Sequence, residues 1–303
     1  MTMTSPPDVV QAQSGIVVLD KPAGWTSHQV VARLRKLVGT RKIGHAGTLD
    51  PMATGVLIMG IEKATRLLGY LASSDKVYEA TIRLGIATIT DDVEGEIVTA
   101  TGAADLGQAE IAAAMAGLRG EILQVPSAVS AIKINGVRSY RRVRAGQSVE
   151  LSARPVLIRR FEMLDQQQLE VNGVGCIDLK VVVECSSGTY IRALARDLGA
   201  ALGVGGNLTT LRRTRVGTFT LKEAQTLAEA ERQARIMPID QVARSTFATL
   251  TVTEDQARYI RNGRRLAGVI LPNRTTALLD PVGAFLALYR QEGSDAVAEA
   301  VFV

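Results

Sequence analysis

Histidine, cysteine and aromatic residues are scarce in this chain, which has two His, two Cys, one Trp, six Tyr and five Phe among 303 residues. His28 and His45 are too few for a His-based metal centre, and neither offers a hydrolytic triad an evident Ser or Cys partner. Cys176 and Cys185 lie nine positions apart, with no His nearby and no CxxC spacing. They read as reduced core thiols rather than as zinc ligands or a redox pair. No run approaches the roughly 18 apolar residues of a membrane span, and residues 1–14 lack the basic start and apolar run of a signal peptide. The expectation is a soluble, cytoplasmic protein. Neither a GxGxxG nor a GxxxxGKS/T nucleotide loop occurs. Gly203-Val204-Gly205-Gly206 has the wrong spacing and reads as a loop that ends a helix.

What is present points to a globular protein with a polyanionic partner. At 47% hydrophobic and 21% charged residues, the chain suits one large domain and a small appendage. The net charge of +5 and pI near 9.4 fit such a partner, though weakly by themselves. Distribution says more than the total. Residues 138–160 hold seven arginines, among them Arg141 and Arg142, against the single acid Glu150, and Arg212, Arg213 and Arg215 form a second knot. A solvated face is the ordinary reading of a charge run, but the near-absence of acids favours phosphate contact. Tyr140, alone among the arginines, reads as packing more readily than as a base-stacking platform.

Along the chain, Gly15 to Asp20 reads as a buried strand, followed by a helix that Thr26 or Ser27 caps and whose stripe is Val30, Val31, Leu34, Leu37 and Val38. A strand from Val56 to Ile61 and a helix from about Lys63 to Leu71 close this part. Lys76 to Leu84 alternates, with Tyr78, Ala80, Ile82 and Leu84 on one face. A helix near Gln108–Leu118, strands near Ile122–Ile134, Val156–Met163 and Ile177–Glu184, and a helix near Tyr190–Leu202 continue the pattern. After Leu221 comes an Ala, Gln and Glu-rich helical stretch, then strand-like runs at Thr276–Leu279 and Phe285–Tyr289. Strands mostly follow strands, so the expected class is α+β, with a mixed, mainly antiparallel central sheet flanked by helices and a small β-rich module at the C-terminus. The expected division is a flexible extension at 1–14, a main domain at 15–245 and a module at 246–303.

The segment from Gly44 to Gly55, Gly44-His45-Ala46-Gly47-Thr48-Leu49-Asp50-Pro51-Met52-Ala53-Thr54-Gly55, carries the strongest chemical signal. Three glycines and a proline in twelve residues impose unusual backbone between regular elements, where catalytic groups tend to sit. Asp50 is its only acid. By pattern alone, Asp50 reads equally as a turn initiator or helix cap before Pro51. A lone carboxylate lacks the second acid that glycosidase chemistry generally uses.

Taken in order, Gly15 to Ser27 with its Lys21-Pro22-Ala23-Gly24, the Gly44 to Leu57 segment, Lys76-Val77-Tyr78, Gln124-Val125-Pro126-Ser127 to Ala131-Ile132-Lys133, Cys185 to Arg192, and Leu211-Arg212-Arg213 resemble the TruB family of tRNA pseudouridine synthases. The resemblance runs over roughly residues 15 to 220. It implies a pseudouridine synthase fold and isomerisation of the T-loop uridine of tRNA (U55) after base flipping. It assigns Asp50 to breaking the bond between uracil N1 and the ribose and re-forming it at C5, whether by attack on the base or the sugar or by assisting deprotonation of the sugar. Tyr78 then packs on the uracil, and Arg192 pairs with the catalytic aspartate. His45 occupies the space left by the flipped nucleotide, and Lys21, Tyr190 and Leu211 fall at pocket positions. Arg141, Arg142, Arg212 and Arg213 are the expected RNA contacts. The implied isomerisation needs no cofactor or metal, and the implied enzyme is a monomer of the bacterial stand-alone type, with a PUA-like C-terminal module and tRNA as its partner. Two other readings stay open at this stage: an RNA-binding or tRNA-folding module without chemistry, and a synthase acting on another RNA.

Overall fold

The computed structural model describes residues 13–127, 133–134, 137–138 and 151–303. Arg141 and Arg142 lie outside the described residues. In chain order the elements are β1 (Gly15–Lys21), α1 (Ser27–Val38), β2 (Ile43–Ala46), β3 (Thr54–Ile61), a 3-10 turn at Glu62–Leu67, α2 (Leu68–Ala72), β4 (Lys76–Leu84), β5 (Ala87–Thr88), β6 (Ile97–Thr99), α3 (Gln108–Gly117), β7 (Gly120–Gln124), β8 (Lys133–Ile134), β9 (Val137–Arg138), β10 (Arg154–Val171), β11 (Val174–Cys185), α4 (Ile191–Ala201) and β12 (Gly206–Val216). They continue with β13 (Phe219–Thr220), β14 (Gln225–Thr226), α5 (Leu227–Arg232), β15 (Met237–Pro238), α6 (Ile239–Thr246), β16 (Ala248–Thr251), α7 (Glu254–Arg261), β17 (Thr275–Leu279), β18 (Phe285–Glu292) and β19 (Asp295–Val301). The class is α+β, as expected. No helix among the described residues is long and apolar enough to cross a membrane.

The chain forms two compact units. The first holds the described residues up to Pro51, then Gly55–Ala72 and Gly217–Val303. In it β1 pairs antiparallel with β3 and parallel with β14, and β2 pairs antiparallel with β3. The wholly buried Ile16, Val17, Val56, Leu57 and Ile58 make β1 and β3 a continuous apolar centre. Thr26 caps α1 through a reciprocal pair with Gln29, and Val30, Val31 and Leu34 bury its inner face. The same unit carries a second sheet, β16-β17-β18-β19, with its own core of Val252, Ile260, Leu278, Leu286 and Tyr289. That sheet is tied to the rest of its unit by Arg66, which donates to the Val301 carbonyl and lies 5.1 Å over the Phe302 ring, and by Tyr70 edge-on to Phe247.

The second unit comprises Met52–Thr54 and Ser73–Val216. Its sheet is antiparallel throughout, in the order β12-β4-β11-β10-β7. β4 buries alternate residues from Lys76 to Leu84 as the pattern predicted. α4 lies against β12. That approach requires glycine at position 199, because a Cβ there would meet the Gly205 carbonyl carbon at 2.2 Å. β10 and β11 are joined by Asn172-Gly173, both at positive φ, in a two-residue reversal. β7 covers β10 only over Arg154–Ile158, so beyond that point β10 is an outer edge among the described residues.

Three expectations are revised. The helix expected at Lys63–Leu71 is a 3-10 turn followed by the short α2, because Glu62 enters with positive φ and the chain packs tightly against Gly60. The strand expected over Ile122–Ile134 ends at Gln124, just before Pro126, and β8 pairs separately with β9. β12 was not expected at all. Its register slips between Leu208 and Thr210 and again between Arg213 and Arg215, which destroys the period of two.

Candidate active site

Asp50 sits on a loop whose neighbours are held on both sides. Lys21, at the end of β1, is wholly buried, and its ammonium donates to the carbonyls of Pro22, Trp25 and Pro51 at 2.9, 2.6 and 3.2 Å. Gly24 N–H donates to the same Pro51 carbonyl at 2.8 Å. On the other side, the Ser27 hydroxyl accepts from Leu49 N–H at 3.0 Å and donates to the Leu49 carbonyl at 3.1 Å. A buried ammonium is tolerable here because its three donors each reach a backbone carbonyl oxygen. Asp50 itself is half-buried. His45, on β2, meets the ring of His28 edge-on at 5.6 Å between centroids, so the only two histidines of the chain touch. The first unit thus brings Lys21, His45 and Asp50 into one loop system anchored on β1 and the first turn of α1.

In the second unit Tyr78 lies on the buried face of β4, opposite Arg213 of β12 and Val183 of β11. Leu211 is opposite Ala80 on that same face. Arg213 is only 1% exposed, so its guanidinium belongs to the interior rather than to a surface knot. Arg212 points the other way, half-buried, and donates to the Thr54 hydroxyl at 3.2 Å. Arg215 pairs with Glu184 at 2.6 Å. Lys76, next along the buried face, donates to the Ser74 carbonyl. Burial, with Arg213 nearby as a second cation, pushes its ammonium down to about 8. A cation depressed in the folded state costs stability below that value, and the cost fades as pH climbs toward the ordinary lysine range. Stability is therefore expected to rise by at most about 2 kcal/mol from this group between pH 8 and 10. Urea unfolding midpoints across that range should show the rise in the natural chain and lose it in Lys76→Met.

Arg192 sits in the first turn of α4, 4% exposed. Its Nη1 donates to the Thr90 carbonyl at 2.9 Å and pairs with the Asp92 carboxylate at 3.3 Å, each side chain of the pair being 5% exposed. Asp92 is fixed in turn by the Thr90 hydroxyl at 2.5 Å and by Glu94 N–H at 3.1 Å. Beside it, burial pushes the Asp91 carboxyl above its usual range against the opposing pull of Arg196, 3.2 Å away. Tyr190, the residue capping α4, is held by the buried Gln124 side chain, which accepts from Tyr190 N–H at 2.8 Å and donates to its carbonyl at 3.1 Å. The second unit thus gathers Tyr78, Leu211 and Arg213 on one sheet face and places Tyr190 and Arg192 at the start of α4.

The sequence reading did not single out Asp91 or Asp92, named Ser27 only as an alternative cap to Thr26, and named Gln124 only within the Gln124–Ser127 stretch of the resemblance. The run Thr88 to Gly95 reads only as a turn, and its two adjacent acids were the available signal. Nothing local reveals that Asp92 is buried, because that depends on where α4 docks.

Known proteins resemble this chain along nearly all of its length. The signature of "TruB family pseudouridylate synthase (N terminal domain)" matches residues 35–191, that of "tRNA pseudouridylate synthase B C-terminal domain" matches 192–274, and that of "tRNA Pseudouridine synthase II, C terminal" matches 247–303. Proteins named tRNA pseudouridine synthase B from Nocardia farcinica and an Arthrobacter species are 54% and 52% identical, over 97% and 95% of this chain and 94% and 96% of theirs. Among solved structures, one titled "Crystal Structure of a Cbf5-Nop10-Gar1 Complex" is similar with a TM-score of 0.70 at 26% identity, covering 99% of this chain and 91% of that one.

Proposed function

We propose that this chain, which belongs to the TruB family of pseudouridylate synthases, isomerises the T-loop uridine of tRNA to pseudouridine, with Asp50 as the reacting carboxylate. The enzyme class, a synthase forming pseudouridine in tRNA, comes with the family and its near relatives. The observation that carries the assignment of Asp50 is the double anchoring of its loop by Lys21 and Gly24 on one side and Ser27 on the other. Preorganisation of this kind is what a carboxylate needs to meet a substrate atom at a set distance.

In this reading the bond from ribose C1′ to uracil N1 breaks, the base turns, and C1′ bonds to C5. The C5 proton leaves and N1 gains one, so atoms and electrons balance without an external donor. Asp50 supplies the negative charge for bond cleavage, Tyr78 packs on the uracil, and Arg192 supplies the cation of the reaction site. His45 fills the space that the uridine vacates, since a stacked base presents its glycosidic bond to no side chain until it is flipped out. Lys21, Tyr190 and Leu211 shape the pocket, Arg141, Arg142 and Arg212 serve the RNA, the buried Arg213 is an interior cation behind Tyr78 rather than an RNA contact, and residues 246–303 add a PUA-like contact. The chain acts alone, in the cytoplasm where tRNA is found.

Tritium release tests this. Unmodified tRNA transcript labelled at uridine C5 should lose its label to water in the presence of EDTA, and a transcript with cytidine at the T-loop position should release none. Equal release from both transcripts would move the target elsewhere in tRNA, and better turnover of a ribosomal fragment would change the substrate.

A further inference from the structure

We propose that Ser27 is a positioning residue for Asp50, acting through the backbone of Leu49; this rests on the reading of Asp50 as the reacting carboxylate. Ser27 is 1% exposed and stands at the first position of α1, just after the capping Thr26. Capping is done by Thr26, so the Ser27 hydroxyl is free of that task and reaches across 22 residues to Leu49. It binds both polar groups of that residue, accepting from N–H and donating to C=O. Those two groups belong to the two peptide planes that flank the Leu49 Cα, and the second plane is the one carrying the Asp50 nitrogen. Pinning both fixes φ and ψ of Leu49, so the chain arrives at Asp50 in one orientation.

Past Asp50, the Pro51 ring fixes its own φ and narrows the backbone choices of the residue before it. The Pro51 carbonyl is then held by Lys21 and Gly24. What remains to Asp50 is little more than its side-chain torsions. The Leu49 side chain, 3% exposed, is core, so the loop cannot move there without opening a cavity. His28, the next residue of α1, meets His45 on β2, the strand that leads into the same loop, so the helix start also touches the loop's entry.

The test compares Ser27→Thr with Ser27→Val, which match in size and differ in the hydroxyl. Single-turnover product formation on tRNA, tRNA affinity and melting midpoint are measured for both, for the natural chain and for Asp50→Asn. The expected result is a Thr variant within about threefold of the natural rate and a Val variant slower by about 10- to 100-fold, with unchanged tRNA affinity and matching midpoints. Should the Val variant fail to fold, Ser27→Ala takes its place under the same criteria. Equal rates for the hydroxyl-bearing and hydroxyl-free variants overturn the proposal, as does a rate loss matched by lost affinity or lost stability. Absence of product from the natural chain overturns the functional reading itself, and this proposal with it.

Discussion

Asp50→Asn is expected to lower pseudouridine formation by at least about 10³-fold while leaving tRNA affinity within about threefold. The amide keeps the shape of the side chain but not its charge or basicity. The loop backbone on either side of it is held by Lys21, Gly24 and Ser27. The measurement is tritium release under single-turnover conditions beside filter binding of the same transcript. Release by the variant at the natural rate would remove Asp50 from the chemistry. No release by either protein, with tRNA still bound, would favour a role in binding or folding tRNA.

The second large effect concerns stability. Arg192→Met should cost about 3–5 kcal/mol, because it leaves the Asp92 carboxylate in the interior without its cation. Asp92→Asn keeps an oxygen for Thr90 and Glu94 N–H but removes the charge facing Arg192. The double variant should then be less destabilised than the two single losses added together, by about 1–3 kcal/mol. Urea unfolding of the four proteins measures this coupling; strictly additive losses would show that the pair contributes nothing as a pair. Product formation by Asp92→Asn should also fall by about tenfold or more, since the Arg192 guanidinium loses the charged partner that, beside the Thr90 carbonyl, orients it. A variant with natural turnover would confine Asp92 to stability.

Elements with a strict period were legible in the sequence. β4 occupies the predicted Lys76–Leu84 because Tyr78, Ala80, Ile82 and Leu84 alternate with polar residues, and α1 starts at Thr26, one of its two predicted caps, because Thr26 and Gln29 stand three apart. β12 was not legible, since two register slips and a buried Arg213 break every rule that a strand pattern rests on. Asp50 stood out through the glycines and proline around it and through the family resemblance. Of its supports, Lys21 was reached only through that resemblance, as a pocket position, and Ser27 only as a candidate cap. A polar side chain that bonds backbone groups twenty or thirty residues away, as Ser27 and Lys21 do, leaves no periodicity and no charge pattern to read. The same holds for Gln124 on Tyr190.

The long hairpin of β10 and β11 has a consequence for how this chain behaves at high concentration. From Arg159 to Val171 the outer side of β10 presents backbone donors and acceptors with no strand beside them among the described residues. An open edge of that length invites a second molecule to add a strand. Two breaks in register, at Ile158/Arg160 and Met163/Asp165, interrupt its regular spacing, and exposed Arg159, Arg160, Glu162 and Asp165 would force charge into any such seam. Resistance to fibrous self-assembly is therefore carried by irregularity and charge along this ribbon, and a straighter, more apolar β10 would gain strand propensity at the expense of remaining dispersed.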